Sequence, residues 1–93
     1  MDAALRRQLE AAAAALKSEG AREVYVFGSA ATGRLGEYSD IDLAVSGLPA
    51  AVFFRAMGKA GDILGRPLDL VDLDHHDLFT DYLKRKGNLV RVG

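Results

Sequence analysis

The sequence predicts an α/β (α+β) domain in which helices pack on a small mixed β-sheet. Three observations carry that prediction. Apolar runs of strand length, at residues 24–27, 41–45 and 67–73, alternate with longer stretches whose apolar residues recur at helical spacing. Glycines fall at the joints between them, at Gly20, Gly28, Gly47, Gly65 and Gly87. The length of 93 residues, with 49% hydrophobic and 27% charged, suits one small core, so residues 1–93 read as a single domain.

Taken in order, residues 3–19 form a helix rich in alanine, with Leu5, Leu9, Ala12 and Leu16 in one apolar stripe and Gly20 ending it. Residues 22–27 follow as a strand in which Val24, Tyr25, Val26 and Phe27 are too uniformly apolar for exposure on one face, which implies burial on both. Residues 28–39 carry three glycines and lack a sustained period, which predicts a turn of about one helical turn and then a mobile loop. The second strand is 41–46. Pro49 suits the first turn of a second helix, whose buried stripe is Phe53, Met57, Ala60 and Leu64 and whose stop is Gly65. Residues 67–73 alternate apolar and acidic side chains as a third strand does, and Pro67 is acceptable at a strand start. Asp74 has the features of an N-cap for a last helix, with Leu78, Phe79, Tyr82 and Leu83 as its inner face and Gly87 its end. Residues 89–92 add a short strand. Tyr25, Phe27, Phe53, Phe54 and Phe79 are most economically core, and Tyr38 is the expected exposed aromatic.

Composition excludes several classes of function. Twelve Lys and Arg against thirteen Asp and Glu give a net charge of -1, without the basic excess of a general nucleic-acid binder. No apolar run approaches the roughly 20 residues of a membrane span. Asp2, Arg6, Arg7 and Glu10 interrupt the N-terminal alanines, so no secretion signal is evident, and without cysteine there are neither disulfides nor thiolate metal sites. Cytoplasmic residence is the default expectation.

The chemistry is concentrated in three acidic residues. On a strand from residue 41, side chains two apart share a face, so Asp40 and Asp42 point the same way while Ile41 and Leu43 enter the core. Asp69, on the third strand, can face that pair across neighbouring strands. Like charges so close repel unless something compensates, and a divalent cation is the simplest compensation. Hard cations, Mg²⁺ above all, take carboxylates plus substrate phosphates, and two ions about 4 Å apart neutralise both attacking and leaving oxygens in phosphoryl transfer. Gly28-Ser29, at the end of the first strand, offers a phosphate cradle: glycine lets backbone approach closely and the serine hydroxyl can donate.

These residues resemble the minimal nucleotidyltransferases of the DNA polymerase beta superfamily. Val26-Phe27-Gly28-Ser29, Ser39-Asp40-Ile41-Asp42-Leu43 and Leu68-Asp69-Leu70-Val71 match that family's pattern, and residues 82–92 resemble its closing helix, glycine and strand. The resemblance implies the nucleotidyltransferase fold, with Asp40, Asp42 and Asp69 as catalytic residues that bind Mg²⁺. It implies further that Asp69 draws the proton from the attacking hydroxyl and that Gly28 and Ser29 hold the terminal phosphates of ATP. Members commonly transfer adenylate onto a hydroxyl with loss of pyrophosphate. The family often has arginine just before the second glycine; here Thr32 precedes Gly33 and Arg34 follows it, so Arg34 serves as the nucleotide-binding arginine only from the other side of that glycine.

Minimal members also resemble the antitoxin of a two-protein pair in which a separate helical HEPN protein is the toxic ribonuclease, neutralised by binding and by adenylylation of a tyrosine. With no appended acceptor-binding domain, the acceptor must be positioned by that partner or by a second copy, which implies a hetero-oligomer or a homodimer. A different class is a non-catalytic antitoxin or nucleotide-binding module that acts by complex formation. Among plainer readings, residues 28–35 lack the Lys-Ser/Thr of a nucleoside triphosphatase P-loop. Asp72, Asp74, His75, His76 and Asp77 read as capping and solvation at a strand-to-helix junction rather than as a metal cluster. Lys84, Arg85 and Lys86 read as a solvated helix end.

Overall fold

The computed structural model describes residues 2–32 and 40–93. Arg34, Tyr38 and the loop expected up to Ser39 lie outside them. The described chain forms an α+β domain with three helices, α1 (Ala3–Ser18), α2 (Phe53–Leu64) and α3 (Leu78–Lys86). Its four strands are β1 (Glu23–Phe27), β2 (Ile41–Ser46), β3 (Leu68–Asp72) and β4 (Val90–Arg91). They form one mixed sheet in the order β3-β2-β1-β4, with β1 antiparallel to β2 and β4, and β2 parallel to β3. The parallel pair is joined through α2, the crossover that parallel strands require.

Side-chain alternation divides this sheet into two unequal faces. On the first, Val24 and Val26 of β1, Ile41, Leu43 and Val45 of β2, and Leu70 of β3 are buried against Leu9, Ala12 and Leu16 of α1 and Ala56, Ala60 and Leu64 of α2. Alanine dominates the helix stripes because α1 and α2 pack closely on each other as well as on the sheet. Arg55 and Lys59 of α2 reach Glu19 at the end of α1 at 2.7 and 3.6 Å, and Arg55 foremost holds that carboxyl below its usual range. The second face carries a smaller cluster, Ala44, Leu73 and Leu83, with Tyr25, Phe27, Val71 and Leu89 half-buried around it. β1 is therefore buried fully on one face and half on the other, where the sequence predicts burial on both.

Two boundaries differ from the sequence prediction. Pro49 stands before a 3₁₀ turn, Ala50–Val52, that leads into α2, instead of within the first turn. The N-cap of α3 is Asp77 and not Asp74. Asp77 Oδ1 accepts from the Thr80 N–H at 2.8 Å, and Thr80 Oγ1 accepts from the Asp77 N–H at 3.1 Å, a reciprocal capping box. Asp74 instead accepts from the Gly47 N–H at 2.7 Å, tying the strand ends together. That box turns α3 so that Thr80 and Leu83, three residues apart, face inward. Leu78, Phe79 and Tyr82, expected inside, are 88%, 50% and 53% exposed, and Phe54 of α2 is 76% exposed rather than core.

Candidate active site

β2 lies between β1 and β3, and its register fixes what meets at the site. Asp42 is the Cα partner of Phe27 on β1 and of Asp69 on β3. Ile41 pairs with Leu68, and both pack with the first-face core, so the next residues, Asp42 and Asp69, rise together from the second face on strands about 4.8 Å apart. Asp40 stands two positions earlier, exposed, at the entrance to β2. Burial pushes the Asp42 carboxyl above its ordinary range, and the negative charges of Asp69 and then Asp40 push it further. The negative charges of Asp69 and Asp40 thus both reach Asp42 at one end of β2 and β3.

The bend after β1 belongs to the same place. Gly28 has φ +70°, and a Cβ there would fall on Asp42 Oδ2. Glycine is required twice over, by backbone conformation and by the carboxylate packed against it. The following residues make one helical turn, in which the Thr32 N–H donates to the Gly28 carbonyl at 3.3 Å and the Thr32 hydroxyl to the Ser29 carbonyl at 3.2 Å. Ala30, 2% exposed, anchors this turn in the first-face core. Thr32 therefore closes the turn.

A hard divalent cation suits this donor set. All three groups are carboxylates, and among the described residues no ion pair is made to Asp40, Asp42 or Asp69. Among the described residues no three His, Cys, Asp or Glu side chains are gathered closely enough to ligate one ion. The sequence reading missed the companions of this site on α3. Phe79 and Tyr82 stand half-exposed on the second face, and the legible signal was Asp77-x-x-Thr80, a capping-box spacing that sets how the helix is turned.

Comparison with known proteins places this geometry. The profile of the family described as "Polymerase beta, Nucleotidyltransferase" matches residues 10–91. The chain belongs to that nucleotidyltransferase family. A solved protein given provisionally as a minimal nucleotidyltransferase is similar at 29% identity and a TM-score of 0.75, over 94% of each chain. A toxin-antitoxin structure with AMP-PNP superposes with a TM-score of 0.73 at 24% identity, over 90% of this chain and 72% of that one. The toxin-antitoxin MntA-HepT superposes with a TM-score of 0.68 at 20% identity, over 94% and 70%. No curated protein sequence matches. Among the described residues, no helix of this nucleotidyltransferase is long and apolar enough to cross a membrane.

Proposed function

We propose that this nucleotidyltransferase uses Mg²⁺ and ATP to place adenylate on a hydroxyl, a tyrosine of a separate helical HEPN-type toxin for which it is the antitoxin. The observation that carries the reading is the in-register pairing of Asp42 with Asp69 beside the Gly28 bend. The toxin-antitoxin neighbours, one with AMP-PNP, support a nucleotide and a protein partner. Asp40, Asp42 and Asp69 would hold the metal, which when bound neutralises charge on the attacking and leaving oxygens. Gly28 and Ser29 bind the terminal phosphates, and Arg34, outside the described residues, is the arginine assigned to the nucleotide. Asp69 takes the proton as the acceptor oxygen bonds to the α-phosphorus; the bond from that phosphorus to its bridging oxygen breaks, and pyrophosphate leaves with the electron pair.

Co-purified with the helical partner, the chain should transfer label from α-labelled ATP to a partner tyrosine. Asp42→Asn and Asp69→Asn should each abolish transfer with an unchanged circular dichroism spectrum, and undiminished transfer by both would refute the assignment. The exposed apolar side chains Phe54 and Leu78 favour a complex whether or not catalysis occurs. A purely steric antitoxin would show no magnesium-dependent heat with ATP in calorimetry.

A further inference from the structure

On the second face, the Gly28 bend opens away from Asp42 into a cleft of about 310 Å³, at the lower end of the range that holds small ligands. β1 contributes Phe27 and the bend itself. α3 contributes Phe79, Tyr82 and Lys86, three and four residues apart and so on one side of that helix, and Asn88 follows from the turn beyond it. Phe79 meets Phe27 edge to face with ring centroids 6.3 Å apart. Tyr82 and Phe79 leave about half their surface in water, aromatic area that the small second-face cluster does not use.

We propose that this cleft receives the nucleoside end of the nucleotide, with a purine base stacked on Tyr82, the Asn88 amide at the base's edge and Lys86 on the phosphate side. The inference rests on the nucleotidyl-transfer reading above and adds the base-recognition site to it. Continuity is the first argument. Gly28 borders the cleft and abuts Asp42, and Phe27, the cleft's floor, is the Cα partner of Asp42. A ligand with phosphates at the bend and carboxylates can extend over Phe27 without leaving the second face. Chemistry is the second argument. Flat aromatic walls accept the face of any base, whereas an asparagine amide presents one donor side and one acceptor side, the pattern that matches the adenine edge. Lys86 adds a cation to a site where the described acids have none paired to them.

Calorimetry on the full chain with Mg-ATP and with Mg-tripolyphosphate tests this, because the second ligand has phosphates and no base. Tyr82→Ala should weaken Mg-ATP about tenfold, the effect of losing one stacked base, and leave tripolyphosphate unchanged. Tyr82→Phe should restore ATP affinity, which separates the ring from the hydroxyl. Asn88→Ala should narrow the preference for ATP over CTP. Both positions are exposed, and thermal melts matching the parent confirm the fold. If the parent binds ATP and neither alanine variant changes it, the cleft assignment is overturned while the phosphate site stands. Equal loss of ATP and tripolyphosphate in Tyr82→Ala also overturns it. A parent chain that binds neither ligand ends both readings.

Discussion

Asp42 is held where folding alone would not put a charge: half-buried, beside two other carboxylates, with a glycine pressed against its oxygen. Such placement opposes stability and marks Asp42 as a functional-site candidate. Replacing it with asparagine keeps the shape and removes the repulsion, so metal-free Asp42→Asn should melt at the same temperature as the parent or higher while transfer is lost. Gly28→Ala should do the opposite to stability. It forces a left-handed backbone on alanine and drives its methyl into the carboxylate, costing about 1–3 kcal/mol in denaturant melts and displacing Asp42, so magnesium-dependent nucleotide binding should fail too. Both residues were legible only jointly: Gly-Ser after a strand and Asp-x-Asp on one are each weak signals, and the ten-residue gap with a third acidic strand joins them. Arg34 was legible only as a residue type, and it lies outside the described residues.

The elements show where local pattern suffices and where it does not. The strand runs announced themselves, because the short Val/Tyr/Phe run of β1 ends at a glycine and β3 alternates apolar and acidic side chains. The orientation of α3 was hidden. Leu78, Phe79, Tyr82 and Leu83 make a plausible stripe, yet the helix is turned by a polar residue, Thr80, which is 2% exposed and also donates to the His75 carbonyl at 2.5 Å. Burying a hydroxyl is favourable only with its partners satisfied, which single-sequence periodicity cannot register. Thr80→Val keeps the volume and strands those partners, and should cost about 1–3 kcal/mol. The same box has a pH signature. The Thr80 N–H, first among several causes, holds the Asp77 carboxyl below its ordinary range. Its contribution is therefore complete above the unfolded-state value and lost as pH falls through the folded one. Between about pH 5 and pH 2 the parent should lose more stability than Asp77→Asn, measured by urea melts.

At the scale of the whole molecule, structure and surface separate cleanly. Leu16 is fully buried between α1, α2 and the sheet, and Leu16→Ala should cost about 2–5 kcal/mol, a large share of the roughly 5–15 kcal/mol that holds a domain folded. Phe54 is large and apolar but 76% exposed, touching Phe53 edge to face at 5.5 Å. Phe54→Ser should change stability by less than about 1.5 kcal/mol, and a larger loss would mean the ring is covered in the isolated chain. Sequence reasoning assigned Phe54 to the core because large apolar residues usually belong there; only the packing of α2 against α1 shows which side of the helix is spare.

The two-faced β2 strand also carries a consequence for the gene. Its odd-numbered side chains build the scaffold, and even-numbered Asp42 and Ala44 lie on the opposite side. Losing one codon within that segment would invert this parity downstream or upstream of the lesion, sending a carboxylate into oil and a leucine into the reaction site. Single-codon deletions there should be far less forgiving than any substitution, and codon gains or losses should be tolerated only outside the paired segments.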